Sequence, residues 1–400
     1  MLEYEVALDR LLASLAPGSP VSLPIHALAN GPAPRFLADD LASPVPLPLA
    51  DNSAMDGYAV RAADTRSPHA TLQLVGSIAA GSVPSCFVGP GQAARIFTGA
   101  PLPPGADAVV MQEDTETDPA RPGTVRILDP AKPWENVRFA GEDVRLGAIV
   151  GRVGDPLSPT RLALLGATGL REVPVFPQPR VALIATGSEL AAPGAAPRPG
   201  SIHESNLLPL ELLVRSAGGL PVASEIVPDD RTLLADAIRR AATIADIVLT
   251  IGGASVGEHD LVKPCAVDAG FEIDFWKLAL KPGKPFFVGR RGNVHLLGVP
   301  GNPVSAFVTT VLMVQPAVRR LAGARDPRPP TSPAFLGATL SNPDGRRHFV
   351  RVAVDRDGTA RSAGVQASHA LASLAQADGL VDVPPRTTLA AGQRIDAIRW

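Results

Sequence analysis

Residues 246–260 read DIVLTIGGASVGEHD. The fold turns on reading IVLTI as a strand. Five apolar or β-branched residues run without a break, and a Gly-Gly pair stops them at once. An apolar run of that length, closed by turn residues, is the pattern of a strand covered on both faces. The same texture recurs on either side, as RVALIATGSEL (180–190) upstream and VHLLGVPGNPVSAFV (294–308) downstream. PVASEIV (221–227), FWKLAL (275–280) and PFFVG (285–289) read as further strands. Amphipathic helices fit ESNLLPLELLVRSAG (204–218) and DRTLLADAIRRAAT (230–243). Strands alternating with helices predict a mostly parallel, doubly wound α/β sheet.

Elsewhere the period differs. Residues 3–15 place Val6, Leu8, Leu11, Leu12 and Leu15 on one face of a helix. Residues 51–145 are β-rich, with LQLVGSI, ARIFT, AVVMQE and VRIL between Gly/Pro turns. SPTRLALLGATG reads as a short helix capped by Ser158, with Pro159 at its first position. After the Pro-rich RDPRPPTSP, HFVRVAVDRDGTARSAG is a strand, an Asp-Gly turn and a return strand. Four hundred residues exceed one core. The expected parts are 1–50 with 146–177 as a discontinuous small linking α/β domain, 51–145 as a β-rich lobe, 178–322 as the α/β domain, and 330–400 as a small β-barrel-like domain.

Composition excludes several classes. The formal net charge is −2 and the sequence pI about 6.4, which argues against general nucleic-acid binding. The two cysteines, Cys86 and Cys265, form no CxxC and no disulfide framework, so a reducing, cytoplasmic setting is expected. The seven histidines make no HxH or HExxH pair. MLEYEVALDRLLASL is acidic and amphipathic rather than a signal peptide, and no apolar run reaches membrane-spanning length.

Open α/β sheets place ligands at the carboxyl ends of their strands. Three such ends are rich in small and polar residues. One carries Gly187, Ser188 and Glu189. The second carries Gly252, Gly253, Ser255, Gly257, Glu258 and Asp260. The third carries Pro300, Gly301, Asn302 and Pro303, with Asn302 as helix cap and Pro303 as first helical residue. Glycine-lined turns expose backbone N–H groups to oxyanions, and acids beside them suit a bridging Mg2+. The chain has 37 basic residues but only five lysines, and three of those fall in WKLALKPGK (276–284). In so Arg-rich a chain, Lys277 and Lys281 suggest a need for a compact point charge. DNSAMDGYAV (51–60) poses a separate question. Asp51 and Asp56 have no basic neighbour until Arg61.

At this point the sequence resembles the molybdopterin molybdenumtransferase family. The resemblance is carried by DNSAMDGYAVR, TGAPLPPGADAVVMQE, GEDV, ATGSEL, GGASVGEHD, FWKLALKPGKPF and GVPGNPVSAFV, from about residue 5 to the β tail. It implies an elongated homodimer that inserts molybdenum from molybdate into adenylylated molybdopterin. Mg2+-dependent cleavage of the adenylate would release molybdenum cofactor and AMP. It implies a pocket between the α/β domain of one subunit and the 51–145 lobe of the other. Asp56, Thr98 and Asp143 would face Glu189, Asp229, Ser255, Asp260, Lys277 and Lys281, and the unpaired acids of DNSAMDGYAV would find partners across that interface. Asp56 and Asp260 are expected for the chemistry and the metal, and Lys277 and Lys281 for anions. Glu189 is grouped with them as catalytic. Gly252, Gly253, Gly257, Pro300, Gly301 and Asn302 would contact substrate, and Arg351 and Ser368 match positions that bring the β tail near. Transient partners would be the molybdopterin adenylyltransferase and apo-molybdoenzymes or their chaperones, with no nucleic acid and no membrane.

Blander readings stand beside these. Asp51 caps a turn, Asp143 is a turn acid, and Asp229 is the N-cap of the next helix. Two stretches depart from the family pattern. His203 and Glu204 stand where a Tyr-Asp pair is usual, and Phe139 and Ala140 where relatives carry arginines. An adenylyltransferase-like enzyme or a non-catalytic carrier or scaffold is the alternative function. The β lobe and β tail argue against the first, and the intact acids and lysines against the second.

Overall fold

The computed structural model describes residues 1–30, 33–67, 69–196, 198–253 and 261–400. The chain divides into two compact units. One comprises Met1–Asp39, Val153–Ser158 and Glu172–Trp400; the other comprises Asp40–Arg152 and Pro159–Arg171.

The first unit is built on a six-stranded sheet. Its strands are β1 (Arg180–Thr186), β2 (Leu220–Val227), β3 (Ile247–Ile251), β4 (Glu272–Trp276), β5 (Phe287–Arg291) and β6 (Val294–Val299). Their order is β2-β1-β3-β6-β5-β4. The first four are parallel, β5 runs antiparallel to both its neighbours, and the order reverses at β1. All five residues of β3 are buried, as the unbroken apolar run requires. One face packs against α1 (Tyr4–Ala13), α2 (Leu207–Ser216), α5 (Pro303–Thr309) and α6 (Gln315–Leu321), through residues such as Leu8, Leu213, Val308 and Val318. The other packs against α3 (Arg231–Ile244) and α4 (Val262–Asp268), through Leu234, Ile238 and Cys265. This is the doubly wound arrangement. A single π turn, Thr310–Val314, joins α5 to α6.

The strand expected over FWKLAL ends early. β4 stops at Trp276 because Lys277 adopts φ +70. Two backbone hydrogen bonds fold the segment back, Lys277 N–H to Phe286 O and Leu278 N–H to Lys284 O, both 2.9 Å. The apolar run between the lysines is buried, with Leu278 and Leu280 fully enclosed.

The C-terminal part of this unit is a closed barrel. Strands Arg347–Val354, Thr359–Ser362, Thr331–Leu336, Arg394–Ile398 and Gly379–Val383 pair in that order, and the last pairs back to the first. The Asp-Gly hairpin falls at residues 355–358, with Gly358 at φ +82. Leu280–Lys281 adds to the barrel beside Arg347 and His348.

The second unit carries a six-stranded sheet in the order Ala108–Met111, Gly57–Val60, Gln92–Ile96, Thr71–Ile78, Thr124–Ile127, Thr115–Glu116. Gly57 is compelled by packing, since a Cβ there would lie 1.9 Å from Val110 O. The helix Pro159–Ala167 belongs to this unit.

Candidate active site

The carboxyl ends of β1, β3 and β6 meet at the point where the strand order reverses. There they line a cleft of about 650 Å3. Thr186, Gly187, Glu189, Asp229, Gly252, Gly253, Pro300, Gly301 and Asn302 border it, and Asn206, His203 and Leu371 complete its rim. This is where a doubly wound sheet leaves a crevice, and the volume suits a small-molecule ligand.

The walls are backbone brought into contact. Gly252 sits at φ +94, where a side chain is strained, and a Cβ there would lie 2.6 Å from Thr186 O. Its N–H donates to Val299 O at 3.1 Å, which ties β3 to β6. Gly301 packs on Gly252 Cα, and Asn206 Nδ2 donates to Gly301 O at 2.9 Å.

Asp229 and Asp230 divide two roles that the sequence left open. Asp230 is the N-cap of α3, accepting from Leu233 N–H at 2.9 Å. Asp229 instead accepts from Thr186 Oγ1 at 3.0 Å and Ser188 N–H at 3.2 Å, while its own N–H donates to Ser188 Oγ. Both its oxygens are therefore spent bracing the turn after β1. Glu189 is exposed at the same turn, its carboxylate folded over Gly187. Asn302 occupies the cap position of α5, but its side chain makes no capping bond. Nδ2 donates to Ser368 Oγ at 3.3 Å, and Ser368 O accepts from Val304 N–H at 3.1 Å. Glu204, at one of the departures, caps the start of α2 by accepting from Asn206 and Leu207 N–H.

The two lysines border neither Gly252 nor Asn302 in this cleft. Lys281 Nζ pairs with Asp344 at 3.0 Å, and that contact holds the Asp344 carboxyl below the usual carboxylate range. Lys277 Nζ lies 3.7 Å from the centre of the Trp276 indole, and Lys263 Nζ lies 3.3 Å from it. Arg351 is fully buried in the barrel wall. It donates to Val365 O, Ala367 O and Ser373 Oγ and so grips the segment that carries Ser368. Ser255, Gly257, Glu258 and Asp260 lie outside the described residues. Among the described residues no group of three or more His, Cys, Asp or Glu forms a metal cluster.

In the β lobe, Asp56 Oδ1 accepts from Thr98 N–H and from Thr98 Oγ1, both at 2.7 Å. The backbone N–H first, and the hydroxyl second, hold its carboxyl below the usual range. Asp51 Oδ1 accepts from Ala140 N–H at 2.8 Å. Both acids are thus partnered by neutral donors within their own lobe. The acids of DNSAMDGYAV have local partners, with the second oxygen of Asp56 not engaged by Thr98. Asp143 is exposed, and its N–H donates to Leu47 O.

Sequence reasoning did not single out Trp276, Asp344, Thr186 or Leu371. Only Trp276 carried a signal, as the aromatic residue that opens the lysine run.

Comparisons with known proteins agree along the chain. Residues 2–169 match the family model for the MoeA N-terminal region (domain I and II). Residues 182–320 match the probable molybdopterin binding domain, and residues 333–400 match the MoeA C-terminal region (domain IV). Molybdopterin molybdenumtransferase 2 of Mycobacterium tuberculosis H37Rv is 40% identical over 371 residues, covering 90% of this chain and 91% of that protein. Molybdopterin molybdenumtransferase of Haemophilus influenzae is 35% identical over 403 residues, covering 99% and 98%. The crystal structure of the molybdopterin biosynthesis moeA protein from Pyrococcus horikoshii OT3 superposes with a TM-score of 0.85 at 29% identity, covering all of both chains.

Proposed function

The chain belongs to the molybdopterin molybdenumtransferase family, and from that premise we propose that it inserts molybdenum from molybdate into molybdopterin. The observation that carries this reading is the cleft where β1, β3 and β6 end. It is large enough for a pterin and walled by backbone at Gly252 and Gly301.

The finer chemistry extends the proposal. The substrate is adenylylated molybdopterin, and loss of AMP accompanies insertion. Molybdate and the linking pyrophosphate are anionic, so lysine ammonium groups and glycine N–H groups are the fitting contacts. Lys277 supplies such a charge, since no described carboxylate is paired with it. Asp229 keeps the turn after β1 rigid, so that Glu189 is presented from a fixed base. Asp56 fits Mg2+ in part. It is ionised at neutral pH, it is exposed, and its Oδ1 alone is taken up by Thr98; a hard cation prefers such oxygen donors. Asp56 and Asp260 are assigned to hold it, and the ion when bound would neutralise charge on the phosphates. A homodimer and cytoplasmic location complete the proposal.

The test measures AMP release from adenylylated molybdopterin by purified protein with Mg2+, with and without molybdate. Release that depends on molybdate and is lost in Asp56→Asn and Lys277→Ala supports the reading. Release that ignores molybdate points to a plain pyrophosphatase. Substrate binding without release would sink the catalytic assignment.

A further inference from the structure

Lys277 and Lys281 are four residues apart and are held in opposite ways. Lys281 is neutralised by a carboxylate, Asp344. Lys277 rests on an aromatic ring, with Nζ 3.7 Å from the Trp276 centroid. A second ammonium, from Lys263 on α4, lies 3.3 Å from the same centroid. Two ammonium groups therefore lie against the same indole. The ring itself is half-buried against the core formed with α3 and α4, so it is a fixed platform.

The backbone of Lys277 is fixed too. Its N–H donates to Phe286 O at 2.9 Å and its carbonyl accepts from Leu2 N–H at 3.1 Å. Its φ of +70 is unusual for a residue with a side chain, and such conformations persist where the surroundings over-determine them. The chain thus launches this side chain from a set point and in a set direction, onto the ring.

We propose that Trp276 is a positioning residue for Lys277, its indole face holding the ammonium ready for an oxyanion without neutralising it. A carboxylate would fix the same side chain but cancel its charge, as Asp344 does for Lys281. The negative face of an aromatic ring attracts a cation while leaving the formal charge whole and most of its N–H donors free. This also gives lysine a reason at this position in an Arg-rich chain, since a compact ammonium meets the ring and still turns donors outward. The inference rests on the assignment of Lys277 to anion binding made above.

The experiment places tryptophans bearing one, two and three fluorines at position 276 of the full-length protein. Fluorination drains the negative face of the ring while nearly preserving its shape. Two readouts are taken. One is KM and kcat for adenylylated molybdopterin with molybdate. The other is the rate at which Lys277 is acetylated by acetic anhydride, followed by mass spectrometry. The expected result is a stepwise rise in the logarithm of KM with each fluorine, kcat unchanged, and a parallel rise in Lys277 acetylation. Trp276→Phe should fall within this series, and Trp276→Leu should raise KM by about ten-fold. A flat response of both readouts to fluorination overturns the proposal, because packing alone would be insensitive to the ring's charge distribution. If acetylation responds but Lys277→Ala leaves turnover intact, the proposal is also overturned. The fault then lies in the anion-binding assignment and not in the contact between lysine and indole.

Discussion

Arg351→Met should loosen the segment that reaches the cleft, Leu371 of its rim included, while leaving the strand-end turns of the α/β sheet in place. The guanidinium is fully buried and donates to Val365 O at 2.6 Å, Ala367 O at 3.2 Å and Ser373 Oγ at 3.1 Å. Not all of this is lost on substitution. Ser373 Oγ lies 2.8 Å from both Val365 O and Ala370 O, and its hydroxyl can turn to Val365 O, so that carbonyl can keep a partner. Burying a cation has its own cost, and burial lowers the Arg351 pKa from the ordinary arginine value. The gross loss of three charge-assisted contacts would be about 5 kcal/mol. With the retained partner and the relieved desolvation, the net is about 2 kcal/mol. Hydrogen exchange of the amides in 365–371 reads this directly as local opening, expected to be about thirty-fold faster. Because Ser368 caps Val304 N–H and meets Asn302, KM should rise with the same variant. Unchanged exchange over 365–371 would refute the reasoning. So would an equal loss of protection across the whole barrel, which would make Arg351 a general core residue and not the grip on one segment.

Asp229→Asn and Asp230→Asn should separate cleanly. The first replaces one acceptor of the turn after β1 by a donor facing Ser188 N–H and should lower kcat/KM about ten-fold; the second keeps a good cap on α3 and should leave both activity and stability within about 0.5 kcal/mol of the parent. Gly252→Ala forces a side chain into φ +94 and against Thr186 O, so the denaturation midpoint should drop by the equivalent of about 3 kcal/mol, with ligand binding lost in parallel. Burial first, and Lys281 second, push His348 down to about 4. The unfolded chain therefore takes up that proton first, and stability should fall as pH drops from about 6.5 to about 4 and then level, by about 1–2 kcal/mol because solvent screens the part-exposed ring; His348→Asn should remove that component from a series of denaturant titrations, and proton NMR of the His348 ring should show it neutral at pH 5.

The α/β sheet was legible because unbroken apolar runs and glycine stops are local properties, and β3 shows both. The three convergent turns followed from the same signals. What stayed hidden depended on distant chain. DNSAMDGYAV gave no sign that Asp56 is held by Thr98 or Asp51 by Ala140, since a backbone N–H leaves no mark in residue type. Neighbouring acids Asp229 and Asp230 are indistinguishable by composition, and only Thr186, brought alongside by β1 and β2 pairing, decides between brace and cap. Arg351 sits in HFVRVAV, where alternation suggests one exposed face. Instead Phe349–Val352 are all buried, because the barrel wall is covered on its outside as well; Tyr4 of α1 meets Phe349 edge-on at 5.3 Å. A strand enclosed on both faces can hide an arginine that its sequence would place in water.

The barrel touches the machinery of the α/β domain at points that differ in strength, and that difference orders what a ligand can rearrange. The Lys281–Asp344 pair is about two-fifths exposed on both sides, so solvent screens it and it is worth at most about 1 kcal/mol. An oxyanion can take Lys281 from Asp344 at little cost, even though strand pairing keeps the lysine backbone against Arg347 and His348. The contact of Ser368 with the start of α5 is of another kind. Its carbonyl occupies the Val304 N–H that an anion at this turn would use, and the segment behind it is gripped by a buried arginine. Displacing Ser368 means opposing that grip of about 2 kcal/mol. If these groups hold an anion as proposed, it would meet Lys277 as a charge already available, Lys281 as one released by exchange, and the start of α5 as a donor withheld until the barrel segment yields. The order follows from which partner each group has in the free protein: an indole, a carboxylate, or the chain's own carbonyl.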